Sequence, residues 1–147
     1  MVQISSKIIK KKYLFSIITP TYNRPEKLKK QYIYLKKIKK NQLVEWILVI
    51  EKNDHLTKKV INSFKNINRK IVYNSGGLSK AFTNGAKKAS GKYLSFLGDD
   101  DKLSKNSLVM LEKIIINENP KWIIGQSCYI NKNKVIRKRV TKIKNFF

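Results

Sequence analysis

Four short apolar runs recur along the chain, each ending in turn-forming residues that lead into a stretch with helical spacing, and this alternation limits the fold more than any single motif. Tyr13 to Ile18 runs into TPTYNRP, where Pro25 suits a first helical position, and Leu28, Tyr32, Leu35 and Ile38 then recur at helical intervals. Glu45 to Ile50 (EWILVI) is a second buried-strand candidate, followed by the polar loop EKNDHLT and a short helix marked by Val60, Ile61 and Phe64. Lys70 to Tyr73 gives a brief third strand, NSGGLS a flexible loop, and Ser79 to Ala89 a helix closed by Gly91. The fourth run begins at Tyr93 and reads as a buried strand, YLSFL. Strands joined by helices predict a three-layer α/β/α arrangement around a mostly parallel sheet.

Beyond the fourth run, Ser104 is placed to cap a helix carrying Leu108, Leu111 and Ile115, stopped before Pro120. Trp122 to Ile124, Cys128 to Ile130 and Val135 to Ile136 then read as short strands, with NKNK as a hairpin turn that makes the last pair antiparallel. The expected organisation is a basic arm over 1–12, one domain over 13–137 and a basic tail over 138–147. No stretch approaches the roughly 20 apolar residues of a membrane span, and no secretion signal is evident at the start. A single cysteine, Cys128, excludes an internal disulfide, fits a reducing, cytoplasmic setting, and is expected to be buried packing.

The fourth run stops on Asp99, Asp100 and Asp101, which places three carboxylates at the C-terminal end of a strand, the edge where open α/β sheets bind ligands. Adjacent carboxylates repel, and a hard divalent cation, Mg2+ or Mn2+, relieves that repulsion while leaving positions for substrate phosphates. Capping of the next helix accounts for one aspartate but not for three. The net charge of +24 would suit nucleic acid, anionic lipid or phosphorylated ligands. Yet 29 of the 33 basic residues are lysines, spread along the chain rather than gathered between aromatics, so most read as solvated faces with a weak attraction to anionic membrane surfaces. No specific nucleic-acid partner is expected. His55, the lone histidine, reads as a solvated loop residue.

Three segments in order, FSIITPTYNRPEKL, EWILVIEKND and GGLSKAFTNGAKKASGKYLSFLGDDDKL, resemble the N-terminal, nucleotide-sugar-binding half of the family 2 glycosyltransferases, inverting enzymes of the GT-A fold. They span Phe15 to Leu103. The resemblance implies that Pro20, Thr21 and Tyr22 line a nucleoside pocket, that Glu51 contacts the base, that Asp99 contacts the ribose, and that Asp100 and Asp101 hold the metal. Gly77, with Gly76, would let the backbone approach the donor, or would serve as a flexible turn. TPTYNRP on pattern alone is equally an ordinary loop into a helix.

The chain also departs from the family pattern. Gly98 stands where many relatives have their first aspartate, EKND replaces a run of two aspartates, glycine and serine, and Thr83 takes the place of a common asparagine, with Asn84 one position along. The implied reaction is transfer of a hexose from a nucleotide donor, a UDP-sugar above others, to a saccharide or lipid-linked acceptor in bacterial lipopolysaccharide or capsule synthesis. The general base is expected in an acceptor-binding half beyond these motifs, since Glu112 and Glu118 fall in a helix. The alternatives are a nucleotide-sugar-binding remnant without activity, a nucleotidyltransferase, and a basic nucleic-acid-binding module, which leaves the three aspartates unexplained.

Overall fold

A computed structural model of the chain describes residues 12–38, 40–125, 127–131 and 134–139. In chain order the elements are β1 (Phe15–Thr21), α1 (Pro25–Lys37), a single 3-10 turn (Asn41–Leu43), β2 (Val44–Glu51), α2 (His55–Asn62), β3 (Arg69–Asn74), α3 (Gly77–Lys87), β4 (Tyr93–Phe96), α4 (Ser107–Glu118), β5 (Ser127–Asn131) and β6 (Lys134–Arg139). The first four strands form one parallel sheet in the order β3-β2-β1-β4, and β5 and β6 form a separate antiparallel pair. The chain builds outward from β1 through β2 to β3, then returns to place β4 on the other side of β1. That reversal opens a crevice beyond the C-terminal ends of β1 and β4, where doubly wound sheets bind ligands.

Strand alternation divides the core into two layers. Phe15 and Ile17 of β1 and Trp46, Leu48 and Ile50 of β2 face α1, α2 and α4, where they meet Leu28, Leu35, Ile61, Leu108 and Ile115. Ile18, Ile47 and Val49 face the other way, onto Ala81 and Phe82 of α3. β2 is therefore covered on both faces, which is why its sequence is a continuous apolar run rather than an alternating one. Each of its fully buried large side chains contributes about 1.5–3 kcal/mol relative to exposure. The indole N–H of Trp46 donates to Thr19 Oγ1 at 2.9 Å, so the largest core side chain leaves no donor unpaired. Gly85 lets α3 lie close to the sheet, because a Cβ there would meet Ile18 at 2.5 Å.

Several expectations change. β4 is an edge strand among the described residues, with Leu94 48% and Phe96 55% exposed, because only β1 flanks it and α3 covers little of that face. Phe96 keeps one edge-to-face contact with Phe82. Trp122 to Ile124 forms no strand, and Trp122 is exposed. α4 starts at Ser107 with Asn106 at its N-cap; Ser104 contributes its carbonyl, which accepts from Ser107 N and Oγ, rather than a side-chain cap. Cys128 is exposed on β5, a strand that among the described residues pairs only with β6, so it is not core packing. His55 is exposed but opens α2 instead of sitting in a loop. α3 begins two residues before the expected Ser79 and ends at Lys87, and Gly91 serves packing instead: a Cβ there would meet Ser16 N at 2.6 Å. Residues 1–11 of the basic arm and 140–147 of the basic tail lie outside the described residues, and Lys138 and Arg139 end β6.

Candidate functional site

Thr21 is the last residue of β1, and its hydroxyl donates to Asp99 Oδ2 at 2.8 Å, tying the first strand end to the acidic loop after β4. The loop from β1 into α1 turns at Asn23, whose φ of 52° lies in the left-handed region that asparagine tolerates. Its backbone N–H donates to Asp54 Oδ2 at 2.6 Å, while Asp54 Oδ1 accepts from Thr57 N at 3.0 Å and so caps α2. Burial pushes the Asp54 pKa up, but these contacts outweigh it and the carboxyl ends below the usual range. One carboxylate thus holds both a helix end and the TPTYNRP turn. Pro25 takes the first helical position of α1 as expected, and Arg24 at the N-cap makes no capping bond.

Arg24 turns instead to the aspartates. Its Nη1 lies 3.1 Å from Asp99 Oδ1 and 3.8 Å from Asp100 Oδ2, and Lys27 Nζ lies 2.8 Å from the same Asp100 oxygen. The hydrogen bond from Lys27 leads the effects that hold the Asp100 carboxyl below its ordinary pKa. The three aspartates are not equivalent. Asp99 is 5% exposed and shared between Thr21 and Arg24; Asp100 is 55% exposed; Asp101 turns back, its Oδ2 accepting from Gly98 N at 3.2 Å. Gln31 of α1, itself buried, donates to Gly98 O at 2.6 Å, and Tyr34 donates to Leu103 O. One face of α1 therefore holds the whole acidic loop.

On the opposite wall Glu51 ends β2 and accepts from Asn74 Nδ2 at 2.8 Å; Asn74 Oδ1 in turn accepts from Asn84 Nδ2 of α3 at 2.9 Å. Asn84 thus reaches inward, while Thr83 bonds only its own helix, to Ser79 O. Gly76 and Gly77 have φ of 133° and 70°, conformations open to glycine, and nothing lies within 4 Å of a Cβ built on Gly77. The backbone turn into α3 is what requires glycine there, and Gly77 also borders the space described next.

These walls enclose a cavity of about 800 Å³ at the C-terminal edge of the sheet. All eight residues singled out from the sequence line it: Pro20, Thr21 and Tyr22 on one side, Glu51 and Gly77 on another, and Asp99, Asp100 and Asp101 on a third. Tyr22 exposes 57% of its surface, offering a ring face. Arg24, which lines the cavity, and Lys27, Asp54, Asn74 and Gln31, which position its walls, were not singled out. Asp54 carried a usable signal, an aspartate placed just before a helix-periodic stretch. Pairing across the fold gave none.

For a metal, the donors suit a hard cation, since Asp100 and Asp101 offer carboxylate oxygens at the cavity wall. Among the described residues no group of three acidic, His or Cys side chains is arranged to hold an ion alone. A Mg2+ or Mn2+ ion held by these two carboxylates would have to complete its shell with other donors, such as substrate phosphates.

Comparison with known proteins agrees with this architecture. The profile described as glycosyl transferase family 2 matches residues 16–147. The chain is 28% identical over 133 residues to the Escherichia coli UDP-Glc:alpha-D-GlcNAc-diphosphoundecaprenol beta-1,3-glucosyltransferase WfgD, a match covering 87% of this chain and 51% of that protein. It thus spans about half the length of this curated relative. Among solved structures, S. aureus TarS 1–349 superposes with a TM-score of 0.65 at 26% identity, over 71% of this chain and 33% of that one. The mannosyltransferase PcManGT from Pyrobaculum calidifontis, solved with GDP-Man and Mn2+, superposes with a TM-score of 0.65 at 15% identity over 80% of this chain and 36% of its own, a likeness of fold.

Proposed function

The chain belongs to glycosyl transferase family 2, and on that premise we propose that its cavity is the donor site of a sugar transferase, binding a nucleoside-diphosphate sugar, a UDP-sugar above others. The observation that carries this reading is the meeting, in one cavity at the topological reversal of the sheet, of an aromatic face, a held carboxylate and an acidic loop flanked by two cations. Tyr22 and Pro20 offer apolar surface to a base, and Glu51, fixed by Asn74, accepts from a base N–H. Asp99, held by Thr21 and Arg24, presents a carboxylate to a ribose hydroxyl. Asp100 and Asp101 would hold a divalent cation together with the diphosphate. Such a cation, when bound, stabilises the negative charge that builds on the departing nucleoside diphosphate.

The reaction proposed is transfer of the hexosyl group to an acceptor hydroxyl with inversion. A saccharide on a lipid diphosphate is the proposed acceptor, following the substrate named for the E. coli relative, in lipopolysaccharide or capsule assembly. Among the described residues no helix is long and apolar enough to cross a membrane. The proposed setting is cytoplasmic, with the net charge of +24 favouring loose contact with an anionic membrane face. Calorimetric titration of the purified chain with UDP, with and without Mn2+, alongside Asp99→Ala, tests the donor site. Cation-dependent binding that the variant loses supports it. A folded wild type that binds none of UDP, GDP or dTDP overturns it, and a family remnant without donor binding becomes the better account.

A further inference from the structure

One face of α1 presents Arg24, Lys27, Gln31 and Tyr34 at intervals of three or four residues, and all four contact the loop from Gly98 to Leu103. They divide the work. Gln31 and Tyr34 take backbone carbonyls and hold the loop in place, while Arg24 and Lys27 take its carboxylates. Both cations sit at the start of the helix, at the N-cap and the third helical position, where the helix dipole disfavours positive charge. That placement opposes the helix dipole, and the aspartates facing it offset the cost together with Glu26 in the same turn.

We propose that Lys27 competes with a divalent cation for Asp100 and, once displaced, binds the donor's diphosphate. The proposal rests on the donor-site reading above and adds to it a phosphate-binding residue. Lys27 Nζ lies 2.8 Å from Asp100 Oδ2, and a divalent cation taken up by that oxygen would set two positive charges against each other across one acceptor, which favours release of the ammonium. The donor's diphosphate would then offer the released lysine an alternative anion in the same cluster. Lys27 can make this move because its side chain is 47% exposed on a four-carbon stem, whereas the helix beneath it is anchored by fully buried Leu28 and by Gln31. Arg24 reaches the more buried Asp99 at 3.1 Å and keeps that carboxylate oriented meanwhile. A doubly charged cation arriving with a doubly negative diphosphate leaves the charge of the cluster unchanged, so the exchange needs no further counter-ion.

The experiment titrates wild type, Lys27→Ala and Lys27→Arg with Mn2+ alone, with UDP at saturating Mn2+, and with uridine. Expected for Lys27→Ala is tighter binding of Mn2+ by several-fold, weaker binding of UDP by about ten-fold, and unchanged binding of uridine, with Lys27→Arg recovering most of the UDP affinity. A residue that only props up the helix would move all three in one direction or none. Mn2+ affinity that does not rise, or UDP affinity that does not fall in a wild type that binds UDP, overturns the proposal. A wild type that binds no nucleotide overturns the donor-site reading instead, and the Mn2+ arm still decides whether Lys27 competes for Asp100.

Discussion

At each end of the sheet a lysine ammonium lies 2.8 Å from a carboxylate oxygen, Lys70 on Glu45 at one end and Lys27 on Asp100 at the other, yet the two pairs serve different ends. Glu45 is 1% exposed. Its Oε1 accepts from Ser16 Oγ at 2.5 Å, from Gly91 N at 2.9 Å and from Ser90 N, and its Oε2 accepts from Ser90 Oγ at 2.7 Å. Burial pushes its pKa up, but Lys70, Ser16 and Ser90 together outweigh that and hold it at about 2. Asp100 by contrast is half exposed, with two half-exposed cations, Arg24 and Lys27, near one of its oxygens. A contact distance therefore does not tell a structural ion pair from an exchangeable one. Burial and the number of fixed donors do.

The comparison is broken most directly at Glu45. Glu45→Ala removes the acceptor shared by Lys70, Ser16, Ser90 and Gly91, and is expected to cost about 1–3 kcal/mol, read as a fall in urea midpoint. A loss below about 1 kcal/mol would reduce this cluster to a surface pair. Because the folded pKa of Glu45 is depressed from 4.5 to about 2, its stabilisation is fully present above pH 4.5 and lost as pH falls toward 2. Unfolding midpoints should drop through that window in wild type and flatten in Glu45→Gln.

At the opposite edge, Asp99→Ala removes the acceptor of Thr21 and Arg24, and UDP affinity in the presence of Mn2+ is expected to fall by at least about ten-fold. Asn74→Ala frees Glu51 and Asn84, with an expected loss of about 1 kcal/mol in stability and a several-fold weaker hold on uridine, measured by calorimetry. The smallest effect belongs to Lys27→Met, an exposed ion pair, expected to change stability by no more than about 1 kcal/mol. A stability loss there as large as that from Glu45→Ala would erase the distinction between the two ends.

Much of this was readable from residue order. The runs IITPT and WILVI are β-branched and apolar, Pro25 marks a helix start, and Asp99 to Asp101 follow a strand, so four strands, their helices and an acidic C-terminal edge could be placed from local chemistry. The apolar content of YLSFL misled, because a run that reads as buried became an edge strand with Leu94 and Phe96 exposed. Cys128 misled for the same reason: apolar neighbours along the chain do not guarantee cover from above.

By itself the sequence determined the period of each element and the turn chemistry between them, since these depend on residues a few positions apart. Only the tertiary structure decided which carboxylate became a fixed anchor and which an exchangeable one. Ser16 and Glu45 are 29 positions apart, Thr21 and Asp99 are 78, and Lys27 and Asp100 are 73. Their partnership, and the solvent left around it, follows from strand order in the sheet, which no local pattern encodes.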